Sequence, residues 1–208
     1  MSPAPGGLSS IADRPADARL LAIAADRLKR LGPRQVTVVA VAEAAGMTHA
    51  NVYRYFASKA ALVDAVAGQW LKSLEAAIAE VADAPDPADD KLERLLQVLA
   101  RAHRDLLAEN RHLFDVYCTA TETSRALVRK HRARLRQLIE RVLDEGVATG
   151  KFDPRDRDRA LGFISDAAYR FINPIAVRLD AEIPQDILDQ RLNTAIRVLL
   201  RALANGSV

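Results

Sequence analysis

Aromatic residues are scarce in this chain of 208 residues, which holds five Phe, four Tyr and one Trp. Cysteine occurs once, which excludes an internal disulfide and fits a reducing, cytoplasmic compartment. No long apolar run is free of charge, so no transmembrane span is expected. Met1 to Ser10 lacks the basic and apolar segments of a signal peptide. A glycine-rich phosphate loop, a nucleophile elbow and paired carboxylates in an apolar setting are also missing, so an enzyme is not expected. No His, Cys and carboxylate set falls at close metal-ligand spacing, and neither metal nor cofactor is expected. What remains is half apolar, rich in Ala, Leu and Arg and poor in Gly, a composition that favours packed helices.

The stretch Thr37 to Lys59 is the most informative. Thr37 can cap a helix on which Val38, Val41, Ala42 and Ala45 recur at helical spacing. Gly46 follows where a helix end turns left-handed. Met47 can plug the corner. Thr48 is a second cap, opening a helix from His49 to about Tyr55 with Val52 inward. The small–glycine–apolar spacing of Ala42, Gly46 and Val52 is that of a helix-turn-helix. Such a unit lays its second helix in the major groove, with Thr48, His49, Ala50 and Asn51 at the base edges. Asn51 can pair with adenine, Thr48 and Ala50 can touch a thymine methyl, and His49 can donate to guanine. Tyr53 and Tyr55 carry hydroxyls suited to phosphates, and Ser58-Lys59 opens a further helix whose free N–H groups and ammonium suit an anion. A helical hairpin within a bundle is the plainer reading of the spacing alone. Charge favours DNA. Residues 14–59 hold eight Lys/Arg and three acids, a net of +5 against a total of +3, which leaves −2 elsewhere.

The run Gly46-Met-Thr-His-Ala-Asn-Val-Tyr-Arg-Tyr-Phe-Ala-Ser-Lys59, followed by Leu62, resembles the TetR (tetracycline-repressor-like) family of bacterial transcription regulators. That family carries Gly-apolar-Ser/Thr, then Leu/Val-Tyr-x-His/Tyr-Phe-x-Ser/Asn-Lys-x-x-Leu. The likeness is close over residues 16–80 and extends to the remainder only in length and helical character. Val39 and Ala40 depart from it by lacking the polar side chains often found there. The resemblance implies an all-α fold of about nine helices. A three-helix head at 14–59 would follow a disordered arm at 1–13, and a long helix would lead into an effector-binding and dimerisation bundle at 60–208. Its DNA contacts are expected at Thr37, Val38, Thr48, His49, Ala50, Asn51, Tyr53, Tyr55 and Lys59.

Apolar periodicity fills in the chain. Pro15 to Leu31 reads as the first helix, stopped by Gly32-Pro33. A long helix over 58–83 carries Val63, Val66, Trp70, Leu71, Leu74 and Ile78 inward, and the loop after it is acidic and proline-containing. Further helices are expected at 90–109, 110–120, 122–149, 156–173 and 185–204. Arg14 could reach phosphates, although an idle tail is the usual case.

Within the body, His103 and His131 each interrupt an apolar stripe. Buried neutral histidines explain this, and so does an effector pocket, which needs a few polar groups in an apolar cavity. The scarce aromatics could share that site. Its candidates are Trp70, His103, Phe114, Tyr117, Cys118, His131 and Tyr169. Nothing near Cys118 lowers its pKa, which favours an inert buried thiol. Seven Lys/Arg between Arg125 and Arg141 read as a solvated face. The last two helices are the family's usual dimer surface. Ala160, Ala167, Ala168, Ala195 and Ala202 would allow close approach there, and the interface is expected at Ile164, Ala168, Leu192, Ile196 and Leu199. The expected function is a homodimeric, ligand-responsive regulator, a repressor released from a palindromic operator by a small molecule. The alternatives are an activator of the same fold or a helical protein-interaction module.

Overall fold

The computed structural model describes residues 15–123 and 125–208. The arm expected at 1–13, and Arg14, lie outside them. Among the described residues there are ten α-helices, one 3-10 turn and no strand. They form two compact units that divide between Gln69 and Trp70. The long helix α4, Lys59–Asp83, contains that division. It lies later than the expected boundary at 59, with Leu62, Val63 and Val66 buried in the amino-terminal unit.

That unit holds α1 (Ala16–Leu31), a 3-10 turn at Pro33–Gln35, α2 (Val38–Ala45) and α3 (His49–Tyr55). Helix α1 buries Leu20, Ala24 and Leu28, the inward stripe read from its spacing. Its core partners are Val36, Val38, Val41, Ala42 and Val52, all almost fully excluded from solvent. Arg19 on α1 donates to the Ala45 carbonyl at 3.0 Å, which ties the first helix to the end of the second.

The body holds α5 (Ala88–Glu109), α6 (Arg111–Glu122), α7 (Ala126–Ala148), α8 (Arg157–Ile172), α9 (Pro174–Leu179) and α10 (Gln185–Ala204). Leu92, Leu95, Leu96 and Leu99 of α5 lie in one apolar core with Leu138 and Val142 of α7, Ile164 and Ala168 of α8, and Leu192, Ile196 and Leu199 of α10. Helix α5 thus packs on several sides, which its wide apolar stripe requires. The buried ammonium of Lys91 meets both carboxylate oxygens of Glu145, at 2.8 and 2.9 Å, as burial of a charge demands.

Two local features are set by single residues. Pro174 does not merely end α8. It occupies the first turn of α9, where its missing N–H costs nothing, and Asn173 caps that turn by accepting from the Ile175 and Ala176 amides. Gly146 lies inside α7, where a Cβ would stand 2.0 Å from the Phe152 ring. Glycine there lets the aromatic ring of the following turn lie directly on the helix.

Candidate nucleic-acid interface

Each motif helix is capped by its own sequence. The Thr37 hydroxyl accepts from the Ala40 amide at 3.1 Å, and the Thr48 hydroxyl accepts from the Asn51 amide at 3.3 Å. Between them Gly46 adopts φ 64°, ψ 34°, and the Met47 amide donates back to the Ala42 carbonyl at 2.9 Å. No atom lies within 4 Å of a Cβ built on Gly46, so backbone conformation and not space requires the glycine. Ser58 caps α4 in the same manner, accepting from the Ala61 amide at 3.1 Å.

Helix α3 is pinned by one side chain. Val52 is fully buried, while His49, Ala50, Asn51, Tyr53, Arg54 and Tyr55 are all exposed. A seven-residue helix that buries a single side chain and presents polar, aromatic and basic groups on the rest of its surface is built to meet a partner. Tyr53 and Tyr55 are about half exposed, which is unusual for large aromatics. Arg54 adds a cation between them that the expected contact set left out. Its charge and its place in the Tyr-Arg-Tyr run were the available signal.

Two expectations need adjustment. Val38 is 5% exposed and belongs to the core of its unit, so it cannot reach a DNA surface. It lies on the inward stripe with Val41 and Ala42, and Val39 is the residue that faces out. Lys59 is exposed, but its ammonium already donates to the Arg34 carbonyl at 2.9 Å. Two of its three protons remain for an anion. The basic cluster of α1 is also partly neutralised, because Arg30 pairs with Asp26.

The body brings four of the seven effector candidates together. The Trp70 ring centroid lies 5.8 Å from that of His103 and 5.4 Å from that of Tyr117. Tyr117 lies 5.6 Å from His103 and 6.3 Å from His131. Leu71, Ala120 and Val128 complete the apolar surround of Tyr117. His103 Nδ1 donates to the Leu99 carbonyl at 2.7 Å. Burial drives the pKa of His103 down to about 4, so the ring is neutral. Burial also lowers His131, more than the Glu75 carboxylate 2.7 Å from its Nδ1 raises it. Glu75 had not been singled out. Its signal was an acid on the edge of the α4 apolar stripe, one position past Leu74.

The other three candidates lie apart from these rings. Phe114 is fully buried and enters none of the ring contacts. Cys118 is buried with its thiol 3.6 Å from the Pro174 carbonyl on α9. Burial raises its pKa to about 11, which makes it a packed, unreactive group. Tyr169 is 55% exposed on the outer side of α8, one residue past the inward Ala168, and cannot line a buried site.

The expected dimer residues are corrected more thoroughly. Ile164, Ala168, Leu192, Ile196 and Leu199 are all buried within the single chain, where α8, α10 and α5 pack together. Helices α8 and α10 each carry a second, outer face. It holds Phe163, Ala167, Ile187, Thr194, Ala195 and Val198, which line a groove of about 640 Å³. Val198, at 58% exposure, is its most open apolar residue.

Among the described residues no cluster of His, Cys, Asp and Glu could hold a metal ion. No described helix is long and apolar enough to cross a membrane.

Comparison with known proteins agrees with this geometry. Residues 20–66 match the profile of bacterial regulatory proteins of the tetR family, and residues 88–191 match that of the tetracyclin repressor-like C-terminal domain. No curated protein matches the chain by sequence. Among solved structures, a TetR/AcrR family transcriptional regulator from Thermobifida fusca YX-ER1 is similar, with a TM-score of 0.65 and 21% identity over 88% of this chain and 96% of that one. RolR in complex with resorcinol gives a TM-score of 0.58 and 21% identity over 90% of this chain and 87% of that one. The transcriptional regulator FadR from Bacillus subtilis in complex with stearoyl-CoA gives 0.57 and 18% over 90% and 97%. At these identities the structures establish a shared fold, whereas the profiles span the helix-turn-helix and half of the chain besides. The chain belongs to the TetR family of bacterial transcription regulators.

Proposed function

We propose that the protein is a homodimeric repressor that binds a two-fold-symmetric operator through α3 and leaves it when a small molecule occupies the body. The observation that carries this reading is α3 itself. It is doubly anchored, by the Thr48 cap and by buried Val52, while its other side chains are exposed and able to contact DNA. Thr48, His49, Ala50 and Asn51 would meet base edges. Tyr53, Arg54, Tyr55 and Lys59 would meet phosphates, with Thr37 beside them.

A single head of this size reads few base pairs, and pairing two heads doubles the contacts on a palindrome. The outer face of α8 and α10 is the surface offered for that pairing. Its small residues Ala167 and Ala195 permit close helix approach, and Val198 and Phe163 supply apolar area. Helix α4 is shared by both units and is the continuous path by which a change in the body can reach the head. An effector lowers operator affinity only if it prefers the conformation that binds DNA poorly. Resorcinol and stearoyl-CoA, bound by two similar structures, are chemically far apart, so the fold does not choose between ligand classes.

Duplex binding followed by fluorescence anisotropy across salt concentrations tests the DNA reading. Affinity should fall steeply with salt, by counterion release, while a sequence preference persists. Tyr53→Phe should weaken binding to every duplex by about 0.5–1.5 kcal/mol, the net value of one hydrogen bond. Unchanged affinity would remove Tyr53 from the interface, and no measurable binding at low salt would overturn the function.

A further inference from the structure

The aromatic cluster of the body has a hydrogen-bond pattern that specifies the chemistry of its ligand. His103 Nδ1 faces a carbonyl, which only accepts, so the proton is on Nδ1 and Nε2 carries a lone pair. The Tyr117 hydroxyl, 3.5 Å away, donates to that lone pair. Its proton points there over a long contact, and its oxygen can accept. The Glu75 carboxylate accepts a hydrogen bond from His131 Nδ1–H at 2.7 Å. His131 Nε2 therefore also presents a lone pair. It is buried, and it has no hydrogen-bond partner among the described residues, although the residue is only 1% exposed. An unmet buried polar atom of this kind is destabilising, and a matched ligand offsets that cost.

The unfilled positions on Tyr117 and His131 are thus acceptors, set against flat rings. At His131 Nε2 a carboxylate or phosphate would place lone pair against lone pair, whatever the Arg132 charge that acts on Tyr117 and His131 offers nearby. A neutral hydroxyl would donate to His131 Nε2 and leave its own oxygen free to accept, for example from the Trp70 indole N–H. The Trp70, His103 and Tyr117 rings already pack against one another at 5.4–5.8 Å, and a planar ring would extend that cluster by further offset or edge-on contacts. We propose that the effector is a neutral hydroxylated aromatic compound, a phenol, whose hydroxyl donates to His131 Nε2 with Glu75 fixing the imidazole from behind. This rests on the ligand-responsive reading above and names the ligand class for it.

The test uses three ring-matched probes on the full chain: 4-methylphenol, its methyl ether 4-methylanisole, and 4-methylbenzoate. Calorimetry gives affinity, and emission from Trp70, the one tryptophan in the sequence, reports the place. The phenol should bind saturably and change Trp70 emission. The ether, which cannot donate, and the benzoate, which only accepts, should bind at least tenfold more weakly. His131→Phe should lose the same factor while its thermal unfolding stays cooperative. Because the probe comparison is made on the unaltered protein, it stands even where that variant fails to fold. Equal binding of phenol and ether, tighter binding of benzoate, or no phenol binding overturns the assignment. The same probes are then added to the protein on a bound operator duplex. Release by the phenol is the expected result. A phenol that shifts Trp70 without changing DNA affinity overturns the regulatory reading and leaves the site. Release by a different chemical class, with the phenol silent, overturns the site and leaves the regulator.

Discussion

Val38 and Val39 are chemically identical neighbours with opposite environments, one in the core and one at the surface of the head. Only helical phase separates them, and phase also decides which side chains of α3 can touch DNA. Asn51 is among those that face out. If it reads adenine, Asn51→Ala should cost about 1–3 kcal/mol at the preferred base pair and flatten the preference there. A competition assay against single-base operator variants measures this, and a uniform loss across all variants would show that Asn51 contacts the backbone instead. The buried histidines carry a different prediction. His103 takes up its proton near 6.5 when unfolded and only near 4 when folded. At neutral pH the folded ring is unprotonated and the unfolded one mostly so, and the folded protein keeps nearly its full stability. As pH falls between those values the unfolded chain binds the proton first, and about 3 kcal/mol should be lost by the lower end. His131 acts in the same direction. Urea unfolding at stepped pH should show this slope, and His103→Leu should flatten it in part.

At the scale of elements, the sharpest contrast lies within α10. Leu192 is buried inside the chain, and Val198 is exposed on the outer face proposed for pairing. Leu192→Glu places an unpaired carboxylate in the core and should cost about 3 kcal/mol or more, reducing folded protein. Val198→Glu should leave helicity and unfolding temperature close to normal while converting dimers to monomers. Circular dichroism with analytical ultracentrifugation separates the two, and a dimeric Val198→Glu would move the interface elsewhere. Apolar periodicity located these helices well, because Leu188, Leu192, Ile196 and Leu199 recur at the helical repeat whatever they pack against. The same pattern could not say which of two apolar faces meets the chain's own α5 and which faces outward. Gly46 and its flanking threonines were legible for a different reason. Their roles are local, fixed by backbone conformation and capping within a few residues. The His131–Glu75 contact joins residues 56 apart in sequence, and no local pattern could pair them. The short helix α9 was hidden for a similar reason, since a proline ends one helix as readily as it begins the next.

For the whole molecule, charge and architecture point the same way. The excess of positive charge lies in the unit that carries α3, and the ring cluster and the outer groove of α8 and α10 lie in the other. One unit is equipped to meet DNA, and the other holds the features that would make that meeting symmetric and conditional. The proposed function would therefore require two copies acting on one site. Selection of duplex fragments from a random pool by the purified protein, followed by sequencing of what is retained, tests this most directly. The account predicts an enriched sequence with two-fold symmetry, its half-sites about one helical turn apart, and loss of that symmetry requirement in Val198→Glu. Enrichment of a single unpaired half-site by the unaltered protein, or no enrichment above background with ligand-free protein, would contradict it.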